Sequence, residues 1–580
     1  MAEKYPETSG TFAFQGSLPR LPVLPLEETL PKFLDWTAPL LDEQGRHETA
    51  ESARAFLAPG GAGRKLQRRL EEWSEETPES WLSDFWLRTY LESPAPLVIN
   101  SNVFSLLDLP PLLSPSPRSR RAAWLISAAL SLKKSIDSET LPPDTDRGTP
   151  LCMSQYRNLF GTTRIAGLSG DELATRPDSR HITVLCGGGA WSLDVLSPEG
   201  NEASHESLAV RLDEIAASPR PGGEIGLGTS LPRRDWGALR ETIASICPEN
   251  RGNLERIESA LFVLCLDPET PPSLQGKGLH YLSGGGANRW YDKSFQIIVD
   301  ERGEAGLNFE HSGLDGSQHA LLASVILRSG GTGGYGKWQA LSALPLPFHL
   351  SEEAVRHLEE AGQALHCLRK NTTLAVLEFS AFGREKIKGL GMSPDAFCQV
   401  AMQTSVFGLY GRFLNAYEAV MTRQFLLGRT EAMRPVTAEA AAFAHRRTAE
   451  ALKAASRAHS ERVSECRDGR GVDRHLFGLR KMMERFGREI GVHEPPALFS
   501  SPGYAVLSRN MVSTSTGPTE AFRIYGYGPS DDEGFGVRYL MFPHKLVFTM
   551  TSRTSLEPLL LAFRDKLAEN MEEMAALLEQ

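Results

Sequence analysis

The sequence lacks paired cysteines, a surplus of positive charge and any long apolar run. Its seven cysteines include no CxxC pair, which argues against a zinc site or a redox motif, and their sparse, odd number fits a reducing compartment. The formal net charge of −10 leaves no basic surplus to offset phosphates, so we expect no nucleic-acid partner. No apolar run reaches the roughly 18 residues that a membrane-spanning helix needs, and we expect no membrane span.

Neither end of the sequence resembles a targeting signal. The opening MAEKYPETSG has no apolar core and is acidic, unlike a secretory signal or an Arg-rich transit peptide. The closing LLEQ is not a peroxisomal tripeptide. These absences predict a cytoplasmic protein. We further expect a monomer that holds no metal and no prosthetic group.

Helical and strand patterns alternate along the 580 residues, a length that suggests roughly two to four domains. The Gly-rich and then Pro-rich residues 329–350 are the candidate crossing between domains. Apolar spacing and capping residues predict helices at 30–92, 119–136, 351–371, from Ser393 and Pro394 onwards, and 555–578. Runs rich in β-branched residues predict strands at 96–104, 261–266, 294–300 and 305–311, with a further hairpin around Gly187–Gly189.

The stretch GTGGYG, residues 331–336, fits the GxGxxG pattern of dinucleotide sites. Such a site also needs a strand before the glycines and a helix directly after them. Here KWQALSALPLPF follows, and its prolines would break a helix within a few residues. The context therefore favours a flexible linker over a dinucleotide site.

The stretch NFEHSGLDG places a histidine at the predicted end of a strand, with an aspartate four residues later and then a glycine. A strand end can hold the His311 imidazole rigidly in a cleft. Asp315 can orient the turn through hydrogen bonds or a salt bridge, and Gly316 lets the backbone turn and a substrate approach. The HxxxDG pattern thus predicts a general base, with an ordinary packing histidine as the alternative.

Two further patterns indicate binding sites, and each has a simpler alternative. Arg384 and Lys388 lie four apart just before a helix start, where two cations and free N–H groups suit a phosphate. The alternative is a solvated, charged loop. The STS triplet, residues 513–515, presents hydroxyls that suit an oxyanion if they lie at a strand end, but such triplets are also common in turns.

Several longer stretches, taken in order, resemble motifs of the choline/carnitine O-acyltransferases over nearly the whole chain. They are LPRLPVLPLEETLPKFL, WLSDFWLRTYL, LCMSQYRNLFGTTRIAG, NRWYDKSFQIIVDERGEAGLNFEHSGLDG, SPDAFCQVAMQTSVFGLYGRFLNAYEAVMTRQFLLGRTEAMRP, RGVDRHLFGLR and STSTGP. The resemblance implies an α/β fold of two chloramphenicol-acetyltransferase-like domains, the CoA-dependent acyltransferase fold, with mixed sheets, flanking helices and an active-site tunnel at the domain interface. It implies an N-terminal segment at 1–92 that packs mainly on the second domain. The first domain, 93–345, would carry the catalytic histidine, and the second, 346–580, the CoA and carnitine motifs.

The same resemblance implies a reaction and a role for each matching residue. Acyl-CoA and carnitine would be the substrates, and the acyl group would move reversibly between CoA and the carnitine hydroxyl. The implied residues are His311 as general base with Asp315 beside it; Ser515 for the oxyanion; Arg384, Lys388, Asp395 and Glu418 for CoA; Tyr417, Thr430, Arg474, Ser513 and Tyr527 for carnitine; and Tyr525 in the acyl pocket.

Two residues bear on the choice of substrate within this resemblance. Arg474 stands in DRH, which resembles the carnitine-type form, because a carboxylate needs a bidentate cation. Choline has no carboxylate, and choline transferases have DNH there. Tyr525 stands where acetyl-type members have a bulky Met, which favours short acyl groups, although a tilted ring would leave more room.

Departures from the family pattern lie around the acceptor and pantetheine sites. The loop before NRW is cut to GGGANRW, Ala419 and Ala432 replace hydroxyl residues, Thr516 replaces a Gln, and Arg384 stands where Lys is usual. One alternative is therefore a family member with another alcohol acceptor or a carrier-bound acyl donor, as in polyketide release. A non-catalytic member is a further alternative, although the residues of the chemistry are all present.

Overall fold

The computed structural model describes residues 10–110, 118–218, 222–269, 271–329 and 336–580. Within these ranges the chain forms two large mixed sheets packed against helices, together with a group of N-terminal helices. The GTGGYG motif lies outside the described residues except for Gly336, so its interpretation as a linker stays a prediction.

The part of the chain that precedes residue 352 contains these helices and strands: α1 (Leu26–Thr37), α2 (Glu43–Leu57), α3 (Ala62–Glu76), α4 (Ser83–Leu91), β1 (Val103–Leu107), α5 (Arg118–Asp137), β2 (Thr145–Asp146), β3 (Thr149–Pro150), β4 (Thr162–Ile165), β5 (Glu172–Thr175), β6 (His181–Cys186), β7 (Gly189–Asp194), α6 (His205–Ala217), α7 (Arg233–Ile246), α8 (Pro248–Ser259), β8 (Val263–Leu266), α9 (Leu274–Ser283), β9 (Phe295–Val299), β10 (Ala305–Phe309), α10 (Gly316–Arg328) and β11 (Ala343–Pro345).

The remainder of the chain continues with these: α11 (Glu352–Lys370), β12 (Thr372–Phe379), α12 (Arg384–Gly389), α13 (Pro394–Tyr410), β13 (Ala416–Met421), β14 (Thr430–Met433), α14 (Ala438–Arg446), α15 (Ala449–Arg467), α16 (Asp473–Phe486), α17 (Pro502–Leu507), β15 (Val512–Thr516), β16 (Phe522–Tyr527), β17 (Phe535–Met541), β18 (Leu546–Arg553) and α18 (Glu557–Glu579).

The first sheet has the strand order β11-β7-β6-β8-β9-β10-β1-β16. Its last strand, β16, comes from the far end of the chain. β1 pairs antiparallel with β10 on one side and with β16 on the other, so Val103 lies opposite both Phe309 and Tyr527. This pairing brings the end of β10, where the NFEHSGLDG stretch turns, next to residues that lie more than 200 positions later in the sequence.

The second sheet has the strand order β12-β18-β17-β15-β13-β14. Three of its strands run parallel, with β15 between β13 and β17. The register sets Tyr417 opposite Ser513 and Ser515 opposite Arg538. Parallel strands need long connections between them, so this sheet gathers side chains from distant motifs onto one surface.

The buried apolar residues form three clusters. The largest surrounds the first sheet and also includes Leu358 and Leu365 of α11. A second cluster surrounds the second sheet with α13 and α18. In the third, α1 to α4 pack against α16, with Trp36 and Trp81 among the buried residues. The domain boundaries after residues 92 and 345 stay predictions.

The capped helices expected from the sequence are confirmed. α11 begins after Ser351, whose hydroxyl accepts from the Ala354 N–H, and α13 begins after Ser393 with Pro394 at its first position. Two further helices, α5 and α18, match the expected 119–136 and 555–578 closely. None of the helices within the described residues is both long and apolar enough to cross a membrane.

The strand expected at 96–104 is wrong over most of its length. Residues 97–101 form a turn instead, in which the N–H groups of Ser101 and Asn102 both donate to the Leu97 carbonyl, at 2.9 and 3.1 Å. Ile99 has φ of 69°, a left-handed conformation that no strand accommodates. The strand therefore begins only at Val103.

Candidate active site

A cavity of about 520 Å³ lies where the ends of the two sheets meet α4 and α16. Side chains from distant motifs line it together. They include Trp86, Tyr90, Val103, His311, Asp315, Gly316, Tyr417, Ala419, Arg429, Thr430, Ala432, Arg434, Arg474, Ser513, Ser515, Thr516, Tyr525, Tyr527 and Arg538. All of the residues expected at the oxyanion, carnitine and acyl sites thus line one cavity.

His311 lies in the turn that follows β10, two residues after the strand ends at Phe309. The expected strand end at residue 311 is therefore corrected. Glu310 closes the turn, because its carboxylate accepts from both the backbone N–H and the hydroxyl of Ser312, at 3.1 and 2.5 Å. The chain leaves the sheet at this point, and His311 extends into the cavity with 33% of its side chain exposed.

The hydrogen bond at Nδ1 fixes which imidazole nitrogen of His311 carries the proton. Nδ1 lies 2.6 Å from the Leu314 carbonyl oxygen, and a carbonyl only accepts, so Nδ1–H must donate. In the neutral ring, Nε2 then carries the lone pair. This is the arrangement that a general base requires.

Asp315 does not hydrogen-bond the imidazole, since its Oδ1 lies 3.9 Å from His311 Nδ1. Its carboxylate instead accepts two bonds from Arg429, at 2.9 and 3.0 Å, and one from Gln155 Nε2, at 2.8 Å. Burial raises the pKa of Asp315, but the Arg429 guanidinium outweighs this and holds the pKa below its usual range. A charged Asp315 therefore fixes the turn through Arg429.

Arg429 is the important site residue that the sequence reasoning missed. Besides Asp315, it donates to the carbonyls of His311 (3.0 Å) and Ser312 (2.5 Å). It comes from the loop between β13 and β14, 114 residues from Asp315. Arg429 thus holds the turn that carries His311, although it belongs to a distant part of the chain. The GRTEA stretch contains it, but no local spacing indicates a partner so far away.

The STS triplet forms part of β15 and faces the cavity at Ser513 and Ser515. The Ser515 hydroxyl accepts a hydrogen bond from Arg538 of β17. Its own O–H is consequently left to donate elsewhere. Tyr527 is held by bonds from its hydroxyl to the Ser513 and Val537 carbonyls, at 2.9 and 3.0 Å, which fix the position of its ring at the cavity wall.

Arg474 lies in the first turn of α16 and lines the cavity. Its Nε donates to the Thr430 carbonyl at 2.9 Å, and its guanidinium lies 3.8 Å from the centre of the Trp86 ring. Its Nη2 is buried without a hydrogen-bond partner among the described residues. Because the guanidinium lines the cavity, this N–H can donate to a ligand there.

Glu431 is a buried carboxyl group directly behind Arg474. Its Oε1 accepts from the backbone N–H groups of Ala432 and Arg474, at 2.8 and 3.2 Å. Burial is the largest effect on this group and raises its pKa to about 7 from the ordinary 4.5. Glu431 therefore titrates near neutral pH at the edge of the cavity.

The Glu431→Gln variant is expected to gain stability over the wild type as the pH rises from 5 to 8.5. A carboxyl whose pKa is raised in the folded state favours folding below its unfolded pKa, and that contribution is lost as the pH rises through about 7. The amide does not titrate. Relative to its value at pH 5, the difference in free energy of unfolding should grow by about 2.5 kcal/mol. Urea unfolding followed by tryptophan fluorescence measures it, and a difference that does not change with pH would contradict the assignment.

Arg384 and Lys388, the pair expected to bind CoA phosphate, do not line this cavity. Arg384 begins α12, and its Nη1 donates to the Met541 carbonyl at 3.1 Å. Lys388 has 56% of its side chain exposed and lies 3.6 Å from Glu385. Both cations are at the surface beside the end of β17, where solvent and a phosphate can reach them.

Asp395 and Glu418, also expected at the CoA site, lie in a cluster with His459 and Tyr539, and their role in binding CoA stays a prediction. Their ligand atoms and that of His459 lie within 4.8 Å of one another, a spacing that suits a divalent cation. Hydrogen bonds already join the group, with Tyr539 Oη donating to Asp395 at 2.5 Å and His459 Nε2 lying 3.1 Å from Asp395. Burial and the neighbouring Asp395 raise the pKa of Glu418 well above its usual range.

Comparisons with known proteins agree with this architecture. The family model described as choline/carnitine O-acyltransferase matches residues 21–580. The chain is 31% identical to carnitine O-acetyltransferase from Columba livia, over 93% of this chain and 90% of that protein. It is 33% identical to choline O-acetyltransferase from Rattus norvegicus, over 92% of this chain and 88% of that protein.

Among solved structures, the chain is similar to the trichothecene 15-O-acetyltransferase TRI3 from Fusarium sporotrichioides. The TM-score is 0.43, the sequence identity is 10%, and the match covers 84% of this chain and 93% of the other. The expected mixed α/β architecture with two sheets and flanking helices is confirmed by the strand order and the helices of the structure. The chain belongs to the choline/carnitine O-acyltransferase family, and it transfers acyl groups between CoA and a hydroxyl acceptor.

Proposed function

We propose that this chain transfers a short acyl group reversibly between CoA and the hydroxyl of carnitine, with His311 as the general base. One observation carries the proposal. The buried Arg474 guanidinium, with an N–H that lacks a partner, shares a cavity with the unprotonated nitrogen of His311. A positive group for a carboxylate and a base for a hydroxyl are what a hydroxy acid such as carnitine needs.

His311 would activate the acceptor hydroxyl directly. Its Nε2 takes the hydroxyl proton while the oxygen attacks the thioester carbonyl of acyl-CoA. The Ser515 O–H, left free by the bond that its oxygen accepts from Arg538, donates to the oxyanion of the tetrahedral intermediate. Collapse of the intermediate breaks the C–S bond, and the imidazolium returns its proton to the CoA thiolate. The reverse reaction uses the same groups, and no acyl-enzyme forms.

The acceptor would lie between Arg474 and Tyr527. Arg474, Thr430 and Tyr417 hold its carboxylate, and the fixed ring of Tyr527, with Ser513, faces its trimethylammonium group. The two ends of carnitine carry opposite charges, so these two sites orient it with its central hydroxyl toward His311. At the surface, Arg384 and Lys388 offer cations for the phosphate of CoA.

The acyl group would be short because Tyr525 fills part of the cavity wall. Its ring is 2% exposed and packs 4.5 Å from the His319 ring and 5.0 Å from the Phe522 ring, measured between ring centres. These contacts on two sides prevent the ring from swinging away.

Thiol release from acetyl-, propionyl- and butyryl-CoA by the purified protein tests the proposal. L-carnitine and choline are added in parallel, and free thiol is measured with a chromogenic reagent. We expect release that depends on carnitine. Equal rates with both alcohols would contradict the acceptor assignment. Release with neither alcohol, from folded protein that binds CoA, would indicate a different acceptor or a carrier-bound donor.

A further inference from the structure

Arg538 is a buried cation at the acyl side of the cavity. It lies on β17 directly opposite Ser515 of β15, is only 5% exposed, and lines the cavity. Its guanidinium carbon lies 4.1 Å from the centre of the Tyr525 ring. Stacking on an aromatic ring and the bond to Ser515 fix its orientation.

No carboxylate among the described residues forms an ion pair with Arg538. Three other arginines of the cavity are neutralised in this way: Arg423 by Asp144, Arg429 by Asp315 and Arg434 by Asp473. The Arg538 Nε is moreover buried without a hydrogen-bond partner in the part of the chain that the structure describes. A buried charge without a counter-ion is costly, which indicates that this guanidinium binds an anionic group of the substrate.

The position of Arg538 identifies which part of the substrate carries that anion. In the proposed complex, Arg474 binds the acceptor carboxylate. Arg474 is on α16, whereas Arg538 is on β17. The phosphates of CoA are separated from its thioester by the long pantetheine arm. The Arg538 guanidinium contacts Ser515, the proposed oxyanion residue, and Tyr525 of the acyl pocket. The part of the substrate that lies beside these two residues is the acyl group, so the acyl group carries the anion.

We propose that the acyl group itself carries a carboxylate, as in the half-thioester of a short dicarboxylic acid such as malonyl-CoA, and that Arg538 binds this carboxylate. The inference rests on the proposed function, since it uses the same cavity and the same oxyanion site. Tyr525 limits the length of the chain, so the malonyl class fits better than longer dicarboxylic groups. The carboxylate accepts from the Nε–H of Arg538, which lacks a partner among the described residues, and leaves the Nη1 bond to Ser515 in place.

Malonyl-CoA and isovaleryl-CoA provide the test, because their acyl groups have nearly the same shape and differ in charge. With carnitine as acceptor, kcat/KM for malonyl-CoA should exceed that for isovaleryl-CoA by about 100-fold in the wild type. Arg538→Met should remove this preference by lowering kcat/KM for malonyl-CoA far more than that for isovaleryl-CoA, which loses only the effect of the bond to Ser515, and Arg538→Lys should keep part of the preference. The matched control is Arg523→Met, an exposed position on the neighbouring strand β16, which should change neither value.

Equilibrium binding separates this inference from the proposed function. Isothermal titration of malonyl-CoA and isovaleryl-CoA needs neither an alcohol nor turnover, and wild type should bind malonyl-CoA at least 10-fold more tightly, a preference lost in Arg538→Met. If this binding preference is found but carnitine supports no turnover, the carboxylate site at Arg538 is supported and carnitine is contradicted as the acceptor. Carnitine-dependent turnover with no preference for malonyl-CoA would overturn the inference alone. Equal losses for both thioesters in Arg538→Met would also overturn it, since Arg538 would then act only through Ser515.

Discussion

The His311→Ala variant is expected to lose turnover by about 10²–10⁴-fold or more, with little change in fold. Nε2 of His311 is the unprotonated nitrogen in the cavity, because Nδ1–H donates to the Leu314 carbonyl. Alanine removes the base and leaves the hydroxyl proton without an acceptor. The Arg429 bonds to the backbone of this turn do not involve the imidazole, so the turn should persist. Thiol release with carnitine gives kcat and KM for both proteins.

The control for this experiment is His366→Ala, an exposed histidine on α11 that does not line the cavity. It should leave turnover unchanged. Circular dichroism and CoA binding establish that both variants are folded. Near-normal turnover in folded His311→Ala protein would remove His311 as the base.

The Arg474→Asn variant is expected to raise KM for carnitine by about 100-fold and to change KM for choline little. Truncating one partner of a buried, hydrogen-bonded charge pair costs about 2–5 kcal/mol, and the carboxylate of carnitine is the partner of Arg474 in the proposed complex. Choline has no carboxylate, so it loses no such bond. Steady-state kinetics with both alcohols and a fixed acyl-CoA measure the two effects separately.

Two further variants make this result specific. Arg474→Lys keeps a point charge but loses the fork geometry, so it should raise KM for carnitine less than asparagine does. Arg485→Asn changes an exposed arginine on the same helix and should have no effect. If Arg474→Asn raises both KM values equally, the change has damaged the cavity as a whole and the carboxylate assignment fails.

The sequence predicted those helix starts that depend only on hydrogen bonds between neighbouring residues. Ser351 and Ser393 cap α11 and α13 because each hydroxyl bonds an N–H three residues ahead, a relation that the sequence displays directly. The position of Ile99 was not predictable in this way. A β-branched residue favours a strand, and its left-handed conformation follows from the packing of the surrounding turn.

Distance along the chain decided which site residues the sequence could indicate. His311, Asp315 and Gly316 lie within one motif, and their spacing alone suggested a general base. Arg429 and Arg538 act through partners in other motifs, so nothing in their own neighbourhoods indicates a role. The expected salt bridge of Asp315 does exist, but its partner comes from the other sheet.

The position of β16 has a consequence for how the chain folds during synthesis. β1, β9 and β10 leave the ribosome long before β16, which follows β10 by more than 200 residues. Until then, one edge of β1 presents unpaired N–H and C=O groups, and such an edge can pair with a strand of another nascent chain. Synthesis of β16 therefore protects the chain from aggregation, and a chain that stops before residue 522 leaves its first sheet open at that edge.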